Sequence, residues 1–460
     1  MENYDYQKYI ETLLTHNSSL KRQPKAMVMT YGCQQNTSDS EIIKGMLDQM
    51  GYIFCESYDE ADLVVFNTCA VREHAELKVY GNIGALKPIK KKRPDLKVAV
   101  CGCMMQQESV QKEIKQKYRY VDIVFGPSLI FKFPEMLCKC IFDGKKTFDR
   151  TEVSQIFENL PVKRENNNKA WVTVMYGCNN FCTYCIVPYL RGRERSRKIE
   201  DIINEVQNLV NEGYKDITLL GQNVNSYGKD LELGYDFADL LYKLNEINGD
   251  FWIRFMTSHP KDCSHKLIDA MANCEKVCNQ LHLPFQAGND RVLNEMNRRY
   301  NSEQYKSLID YAKQKMPDIT LTSDVIVGFP GETFEEFMDT VKLLEYVQFD
   351  NLFTFIYSKR SGTSAAQMEN QIDKAEKSRR FDILLHALHP ISKMKNDLLL
   401  GKELKVFVEG ESKTNKEVLT GRTEGGKAVD FVGDKSLIGE FTTVRIIESK
   451  TWSLFGEIIK

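Results

Sequence analysis

The chain has 460 residues, of which 42% are hydrophobic and 27% charged, and its 62 Lys and Arg residues nearly balance 64 Asp and Glu residues. This composition is typical of a folded globular protein and excludes intrinsic disorder. The net charge of −2 excludes a protein that coats nucleic acid through overall positive charge, although a local basic patch can still bind RNA.

The sequence shows neither the ~18–20 consecutive apolar residues of a membrane helix nor the basic-then-apolar start of a secretory signal. We therefore expect a cytoplasmic protein that has no membrane segment. At about 150 residues per domain, the length suggests roughly three domains.

After an amino-terminal extension at residues 1–25, apolar runs alternate with helical patterns. The runs predict four strands, at residues 26–30, 61–66, 98–100 and 121–125. Ser38-Asp39-Ser40-Glu41 has the order of a helix N-cap followed by acids in the first turn. The β-α-β-α-β-α-β order predicts a parallel sheet with right-handed crossovers. We therefore expect an α/β domain over residues 26–142.

Three cysteines of this domain, Cys33, Cys69 and Cys103, each follow a different predicted strand. Ligand sites in open α/β sheets lie along the carboxyl edge of the strands, so the three thiols are expected to converge there. The alternative is three buried core cysteines, because free Cys is often buried. We do not expect Cys101 to be a ligand, since it lies two residues before Cys103 and we place it on that ground on the opposite face of the extended strand.

Residues 128–169 are expected to form a connector that ends in a polar run beginning at Arg164. Six later apolar runs predict strands separated by helical patterns, at residues 171–176, 216–220, 251–256, 280–284, 319–327 and 350–357. Six β/α units are fewer than the eight of a closed TIM barrel. We therefore expect an open, partial (β/α)6 barrel over residues 164–396, which ends in a helix at about 372–398.

The last segment, residues 397–460, contains short alternating runs such as Leu404 to Val408, separated by turn residues such as Gly425-Gly426. This pattern predicts a small antiparallel β-barrel. Residues 400–460 carry ten basic and ten acidic side chains, so their overall charge does not mark the segment as an RNA binder.

The strongest local motif is Cys178-x3-Cys182-x2-Cys185, with the next cysteine far away at Cys263. Four thiolates would complete a structural zinc site or a fully ligated iron–sulfur cluster, whereas three leave one iron of a 4Fe–4S cluster open to a substrate. The motif follows the first barrel strand, which is the catalytic end of such barrels. A zinc site with a distant fourth ligand is the alternative.

These motifs resemble those of the radical S-adenosylmethionine (SAM) methylthiotransferases. The matching barrel segments are Cys182-Thr-Tyr-Cys-Ile-Val-Pro188, Arg191-Gly-Arg-Glu-Arg-Ser-Arg197, His282-Leu-Pro-Phe-Gln286, Val327-Gly-Phe-Pro-Gly-Glu-Thr333 and Tyr357-Ser358. The matching amino-terminal segments are Tyr31-Gly-Cys-Gln-Gln-Asn36, Asp39-Ser40-Glu41, Asn67-Thr-Cys-Ala-Val-Arg72-Glu73 and Gly102-Cys103. The carboxyl-terminal barrel, with Gly421-Arg422, is similar to a TRAM RNA-binding domain. The resemblance covers about residues 26–460.

The resemblance implies two 4Fe–4S clusters. Cys178, Cys182 and Cys185 would hold the cluster that cleaves SAM to a 5′-deoxyadenosyl radical. Cys33, Cys69 and Cys103 would hold an auxiliary cluster that carries or supplies the inserted sulfur. One SAM would methylate the sulfur, and a second would furnish the radical that activates carbon 2 of an adenine.

The loops distinguish three branches of this family. The ribosomal-protein branch is expected to have Gly-Cys-Pro-Lys-Asn, and the threonylcarbamoyladenosine branch Lys-Val-Asn after the cysteine, where this chain has Gly32-Cys-Gln-Gln-Asn36. Arg72-Glu73 and Cys182-Thr-Tyr-Cys185 fit the MiaB branch, which methylthiolates carbon 2 of N6-dimethylallyladenosine at position 37 of tRNA, beside the anticodon. Departures from the family pattern are Gln35, where Met is common, and Ala287, where Ser often follows the Gln. The alternatives are the other two substrates, a non-catalytic iron–sulfur carrier, and an RNA-binding module with a structural metal.

Polar residues at or near the strand exits are candidates for SAM binding, namely Tyr184, Asn223, His259, Gln286 and Asp324. Arginines at every second position after the Cys178–Cys185 motif can form bidentate hydrogen bonds with phosphates. The candidates for RNA contact are Arg191, Arg193, Arg195, Arg197 and Arg422. The expected partners are the tRNA anticodon stem-loop, an external electron donor such as flavodoxin or ferredoxin, and a sulfur donor, and the protein is expected to be a monomer. Seven cysteines have no assigned role: Cys55, Cys101, Cys138, Cys140, Cys263, Cys274 and Cys278.

Overall fold

The structure is a computed structural model that describes residues 4–70, 73–164, 168–232, 234–413 and 415–459, with only the backbone described at residues 73–75. Arg72 of the predicted Arg72-Glu73 motif and residues 165–167 of the predicted connector lie outside the described residues. No helix among the described residues is long and apolar enough to cross a lipid bilayer.

The chain divides into two compact units. The first unit comprises Met1–Glu165, Tyr176–Cys178 and Ile186–Arg195. The second unit comprises Asn166–Met175, Asn179–Cys185 and Ser196–Lys460.

The first unit is built on a six-stranded parallel sheet. Its strands are β1 (Lys25–Thr30), β2 (Ile53–Phe54), β3 (Leu63–Thr68), β4 (Lys97–Gly102), β5 (Ile123–Phe125) and β6 (Thr147–Asp149). They lie in the order β2-β1-β3-β4-β5-β6, and every pair is parallel. The predicted parallel α/β sheet is therefore confirmed, with two short edge strands that the sequence pattern did not indicate.

Helices cover both faces of this sheet. They are α1 (Gln7–Ser18), α2 (Gln34–Gln49), α3 (Glu73–Lys92), α4 (Glu108–Lys117) and α5 (Phe133–Phe142). Side chains of α1, α2 and α5 pack with Val65 and Cys101 in one core, whereas those of α3 and α4 pack with Val64 and Cys103 in another. Alternate residues of β3 thus enter different cores, as the two-residue period of a strand requires.

Cys101 and Cys103 lie in different cores, as expected, but the reason given by the sequence reading is wrong. Residues two apart on a strand share a face. The two side chains are separated instead because β4 ends at Gly102, whose φ of +94° turns the chain.

The structured part of this unit is larger than the predicted 26–142. Helix α1 contributes Ile10 and Leu13 to the core beneath α5, although residues 1–25 were expected to be an extension. Strand β6 pairs with β5, although residues 128–169 were expected to be a connector. Strands of two or three residues are too short to show a hydrophobic period.

The helix N-cap predicted at Ser38–Glu41 is wrong, because the N-cap of α2 is Cys33, five residues before Ser38, and the helix begins at Gln34. Ser38 to Glu41 are buried within the helix. Their polar side chains serve tertiary contacts instead: Thr30 Oγ1 donates to Ser40 Oγ at 2.7 Å, next to the cysteine-bearing edge of the sheet.

In the second unit, six parallel strands form the predicted partial barrel. The strands in chain order from here are β7 (Lys169–Thr173), a short pair β8 (Met175–Tyr176) and β9 (Arg195–Ser196), then β10 (Asp216–Leu220), β11 (Trp252–Phe255), β12 (Gln280–His282), β13 (Thr320–Val327) and β14 (Asn351–Ile356). The ladders β11-β10-β7 and β12-β13-β14 are joined by a parallel bridge between Ile253 and Val277. No ladder joins β14 to β7 in the described part of the chain, so the barrel is open as predicted.

Helix α6 (Val187–Arg191) belongs to the first unit. The helices of the second unit are α7 (Ile199–Asn211), α8 (Phe237–Asn245), α9 (His265–Asn273), α10 (Asp290–Glu295), α11 (Ser302–Lys315), α12 (Phe334–Val347) and α13 (Lys374–Asp397). Alternate strand residues such as Ala170 and Val172 enter the core with apolar faces of helices such as α7 and α8. Asp236, Asn301 and Thr333 close capping boxes, which satisfy backbone N–H groups at the starts of α8, α11 and α12.

The carboxyl-terminal segment closes into a five-stranded barrel, as predicted. Its strands are β15 (Glu403–Glu411), β16 (Leu419–Thr423), β17 (Ala428–Phe431), β18 (Phe441–Ser449) and β19 (Leu454–Ile458), in the order β15-β16-β17-β19-β18. The expected antiparallel pairing holds except between β17 and β19, which are parallel. Val406, Val408, Val429, Phe431 and Val444 fill its core.

This small barrel packs on the amino ends of the partial-barrel strands. Arg254 of β11 donates to the carbonyl oxygens of Thr423 and Glu424 at 2.9 and 2.6 Å, and its Nε pairs with buried Asp216 at 3.1 Å. Lys427 pairs with Asp350 at 2.7 Å, immediately before β14. The opposite, carboxyl ends of the strands therefore remain available for the loops that carry the predicted SAM residues.

Candidate functional site

Cys33, Cys69 and Cys103 lie at the carboxyl ends of three strands that are neighbours in the sheet, β1, β3 and β4. Burial raises the pKa of Cys103 to about 12, nearby Arg191 opposes the rise, and the Cys33 and Cys69 thiols raise the pKa further. The strand order places the three cysteine-bearing strand ends side by side, and convergence of the three thiols on one cluster stays a prediction.

Two glycines allow these strand ends to approach one another. Gly32 has a φ of +116°, and a Cβ added there would lie 2.3 Å from Cys69 Cβ and 2.8 Å from its Sγ. A Cβ on Gly102 would lie 2.4 Å from the carbonyl oxygen of Thr68. Neither position accepts a side chain without moving a cysteine-bearing loop.

Two buried asparagines connect the same loops. Asn36 Nδ2 donates to the Thr68 carbonyl at 2.8 Å, and Asn67 Nδ2 donates to the Asn36 carbonyl at 2.8 Å and to Ser40 Oγ at 3.0 Å. Cys33 Sγ donates to Asn36 Oδ1 at 3.4 Å. This network fixes the α2 start to the end of β3, and therefore fixes Cys33 relative to Cys69.

The prediction that Arg191 contacts RNA is wrong, because its side chain is buried at this cysteine edge. Arg191 Nε donates to Cys103 Sγ at 3.2 Å, and one terminal nitrogen pairs with Asp39 Oδ2 at 2.7 Å and contacts Asn36 Oδ1 at 3.3 Å. Periodicity could not reveal this role, since Arg191 lies far in sequence from all three partners.

The other predicted RNA arginines differ in accessibility. Arg197 donates to the Thr173 carbonyl and pairs with Glu205, with only 10% of its side chain exposed, so the RNA-contact prediction is wrong there too. Arg195 donates to the carbonyls of Val153 and Arg191 and is half-buried. Arg193 is exposed.

Arg422, the last of these candidates, pairs with Glu409 at 3.2 Å and donates to the Gly426 carbonyl at 3.0 Å, with 43% of its side chain exposed. RNA contact stays a prediction for Arg193, Arg195 and Arg422.

The Cys178–Cys185 segment is held in a specific conformation. Cys178 and Cys182 are buried and Cys185 is half-buried. Phe181 has a φ of +47°, which is rare for a bulky residue and marks local strain. Lys261 Nζ donates to Asn180 Oδ1 at 2.6 Å, and Asn297 Nδ2 donates to the carbonyls of Asn180 and Phe181 at 3.1 Å.

Arg298, which the sequence reading missed, also reaches this loop. The residue is buried, and one terminal nitrogen lies 3.4 Å from Cys182 Sγ and 3.5 Å from Tyr184 Oη. The other terminal nitrogen donates to the Pro284 carbonyl at 2.7 Å, and Nε donates to Tyr300 Oη at 3.3 Å. Its motif, Met296-Asn-Arg-Arg-Tyr300, gives no local sign of this contact.

Three predicted SAM residues present buried polar atoms that have no hydrogen-bond partner in the described part of the chain: Asn223 Oδ1, His259 Nε2 and Gln286 Oε1. Ser258 Oγ, which the sequence reading did not single out, is a fourth. Buried polar atoms are nearly always paired in proteins, so such a group at the strand exits indicates a place for a polar ligand.

His259 is buried in a neutral form. Burial, the Arg298 charge and the Lys261 charge hold its pKa well below the usual range. Its Nδ1 accepts from the Lys261 backbone N–H at 3.2 Å, so the ring proton resides on Nε2, which is free to donate to a ligand.

The remaining two candidates for SAM binding are placed differently. Asp324 is half-exposed on β13, with Oδ1 at 3.5 Å from His282 Nε2. Tyr184 packs beside Phe329, Tyr357 and Ala365. Contact of Tyr184 with SAM stays a prediction.

All thirteen cysteines are free of disulfides. Among the described residues, no three His, Cys, Asp or Glu side chains form a group suited to hold a single metal ion. The ligand roles of the two cysteine triads therefore stay predictions.

Three family models match the chain. Residues 25–126 match the Uncharacterized protein family UPF0004, residues 172–344 match the Radical SAM superfamily, and residues 397–459 match the TRAM domain. Their order is that of the sheet, the partial barrel and the small closed barrel.

Curated relatives match over nearly the whole chain. A tRNA-2-methylthio-N(6)-dimethylallyladenosine synthase of Acetivibrio thermocellus is 54% identical over 99% of this chain and 96% of its own. A protein of the same name from Clostridium perfringens is 52% identical over 94% of this chain and 97% of its own.

Among solved structures, the radical S-adenosylmethionine methyltransferase TsrM from Kitasatospora setae matches with a TM-score of 0.54, over 75% of each chain. At 13% identity this likeness concerns the fold alone.

Proposed function

The chain belongs to the family of tRNA-2-methylthio-N(6)-dimethylallyladenosine synthases, and from that premise we propose that it methylthiolates carbon 2 of N6-dimethylallyladenosine at position 37 of tRNA. The observation that carries this proposal is the identity of 54% over 99% of the chain, which includes both cysteine triads. The enzyme is a radical SAM transferase of sulfur-containing groups.

The cofactors are two 4Fe–4S clusters and SAM, and the residues present suit them. Thiolates are the usual ligands of such clusters. Cys33, Cys69 and Cys103, which follow three neighbouring strands, would hold one cluster, and Cys178, Cys182 and Cys185 would hold the other. When bound, the groups supply an electron for SAM cleavage, a methyl group and the sulfur that is inserted.

Polar atoms that lack partners at the strand exits would bind SAM. The Nε2–H of neutral His259 suits an acceptor, while Asn223 Oδ1 and Gln286 Oε1 suit the donors of an amino group or a ribose. Gln286 has a φ of +67°, so its side chain is aimed by a backbone conformation that non-glycine residues rarely adopt.

The tRNA would be held by exposed basic side chains. Arg193, in the exposed turn after α6, would contact phosphate, as would Arg195 and Arg422 through their accessible parts. The small closed barrel, which matches the TRAM domain, would add RNA contacts away from the chemistry. An adenine must leave its stack before carbon 2 can react, which suits an unpaired anticodon loop.

The remaining partners follow from the chemistry. Reduction of the SAM-cleaving cluster requires a one-electron donor such as flavodoxin or ferredoxin, and repeated turnover requires a sulfur donor to restore the auxiliary cluster. We propose that the protein works in the cytoplasm, as a monomer. The proposed functional divisions are residues 26–142, 164–396 and 397–460, and helix α1 and strand β6 add to the first of them in the structure.

The test is mass spectrometry of tRNA nucleosides from cells with and without the gene. We expect 2-methylthio-N6-dimethylallyladenosine to disappear and N6-dimethylallyladenosine to accumulate when the gene is absent. Purified enzyme should convert prenylated tRNA under reduction with SAM. Modification of threonylcarbamoyl-bearing tRNA or of a ribosomal protein in place of prenylated tRNA would contradict the proposal.

A further inference from the structure

Each cysteine triad receives one hydrogen bond from a buried arginine that is distant in sequence. At the amino-terminal edge, Arg191 Nε donates to Cys103 Sγ at 3.2 Å. In the barrel, a terminal nitrogen of Arg298 donates to Cys182 Sγ at 3.4 Å. Both arginines are at least nine-tenths buried, with relative exposures of 8% and 4%.

The two arginines differ in how their charge is compensated. Arg191 forms an ion pair with Asp39 at 2.7 Å, and the side chains are 6% and 3% exposed, so the pair is a buried, overall neutral unit. The additional acceptor of Arg191, Asn36 Oδ1, is uncharged. The cation beside Cys103 is therefore offset within a few ångströms.

Arg298 lacks such a counter-charge. Its acceptors are the Pro284 carbonyl, Tyr300 Oη, Tyr184 Oη and Cys182 Sγ, and no carboxylate of the described residues lies within ion-pair distance of it. Its neighbours Asn297 and Arg299 have φ values of +57° and +56°, so the chain adopts strained conformations on both sides of it. A buried cation is costly without an anionic partner, which indicates that a negative group belongs beside it.

We propose that Arg298 is a positioning residue that raises the reduction potential of the cluster on Cys178, Cys182 and Cys185. Asp39 cancels the corresponding effect of Arg191 at the auxiliary cluster. One electron from a low-potential donor would then reside on the SAM-cleaving cluster and leave the auxiliary cluster oxidised. The inference rests on the cluster ligands assigned in the proposed function.

The physical basis is the charge change on reduction. A 4Fe–4S cluster that gains one electron becomes more negative by one charge, while the donor loses that electron and no covalent bond changes. A fixed cation and a hydrogen bond to a ligand sulfur both stabilise the more negative state. Burial strengthens the effect, since the surrounding medium screens it weakly.

The test is redox titration of the full-length, reconstituted protein, followed by electron paramagnetic resonance. Each cluster is titrated by itself, in a background where the cysteines of the other triad are replaced by Ala. We expect Arg298→Met to lower the midpoint potential of the barrel cluster and Arg298→Lys to lower it less. Arg299→Met is the matched control, because it removes one exposed charge from the adjacent residue and should leave the potential unchanged.

The second arm uses Asp39→Asn, which keeps the shape of the side chain but leaves Arg191 uncompensated. We expect the midpoint potential of the auxiliary cluster to rise. The double variant Arg191→Met with Asp39→Asn removes both charges and should bring the potential back to the wild-type value or below it.

Equal midpoint potentials in wild type, Arg298→Met and Arg298→Lys would overturn the proposal. If the Arg298→Met variant does not retain the barrel cluster, the Asp39→Asn variant decides. An unchanged midpoint potential of its auxiliary cluster would then overturn the proposal. Failure of the cluster assignment is distinguishable, because the cysteine variants would then keep all their iron. If iron falls as expected while the potentials do not move, only this inference fails.

Discussion

Cys33, Cys69 and Cys103 come from three strand ends that are 36 and 34 residues apart, whereas Cys178, Cys182 and Cys185 lie within eight residues of one loop. The first triad depends on the sheet, because β1, β3 and β4 must be neighbours and Gly32 and Gly102 must let their ends approach. The spacing of the second triad is local, but its environment comes from distant residues such as Arg298. The same type of candidate ligand is thus assembled once by strand order and once by sequence spacing.

The largest expected effect comes from removing the three cysteines that are close in sequence. Replacing Cys178, Cys182 and Cys185 with Ala should reduce bound iron from ~8 atoms to about half, since two 4Fe–4S clusters become one. SAM cleavage to 5′-deoxyadenosine should be abolished, because the cluster that reduces SAM is gone. Iron analysis and chromatography of SAM products measure both. Retention of all iron would contradict the ligand assignment.

Removing the three cysteines at the strand ends should separate SAM cleavage from methylthio transfer. The variant with Ala at Cys33, Cys69 and Cys103 should also lose about half of its iron, but it should still cleave SAM under reduction, because the barrel triad is intact. It should form no methylthio product, since the sulfur-bearing cluster is absent. Assays of 5′-deoxyadenosine and of modified tRNA test this, and normal methylthiolation would show that the triad is only structural.

A smaller substitution should disturb the arrangement of Cys33, Cys69 and Cys103 without replacing any of these cysteines. Gly32→Ala places a Cβ 2.3 Å from Cys69 Cβ at a φ of +116°, which should cost about 1–3 kcal/mol in backbone strain alone and weaken the auxiliary cluster. Gly81→Ala is the control, since nothing lies within 4 Å of its Cβ and Ala favours the α3 interior by about 0.5–1 kcal/mol. The midpoint temperature of thermal unfolding and the amount of bound iron should both fall for Gly32→Ala and should not fall for Gly81→Ala.

The smallest expected effect concerns RNA binding by Arg193, in the exposed turn after α6. Arg193→Ala should reduce the slope of log affinity for tRNA against log salt by about one unit, because one phosphate contact is lost. Arg119→Ala removes a charge that is also exposed, elsewhere in the first unit, and should not change the slope. Filter binding over a salt series measures both, and tRNA-free SAM cleavage should stay unchanged. Equal slopes for Arg193→Ala and wild type would remove Arg193 from the interface.

Several features could be read from the sequence because their determinants are local or periodic. The buried strands, such as residues 216–220, show continuous or alternating apolar patterns, and the cysteine spacing from Cys178 to Cys185 is contiguous. The position of three cysteines after strands was also sufficient to expect a site at one sheet edge, because parallel strands end at the same side.

Tertiary structure alone decided the use of the polar side chains. Arg191 and Arg197 have the spacing of a phosphate-binding face, yet both are drawn into buried or nearly buried ion pairs, with Asp39 and Glu205 respectively. Ser38 to Glu41 have the order of a helix start, yet they lie inside α2, where Ser40 bonds to neighbouring elements.

The physical reason is that hydrophobic periodicity specifies which face of an element is buried, but it does not specify which polar group will meet another. The long side chain of an arginine can donate to any acceptor that the fold brings within its reach. Its partner therefore depends on strand order, loop length and the conformation of residues such as Gly102. The longer strands and the positions of the six candidate cysteines were therefore predictable from the sequence pattern, whereas the contacts of Arg191 and Arg298 with cysteine sulfur were determined by the assembled fold.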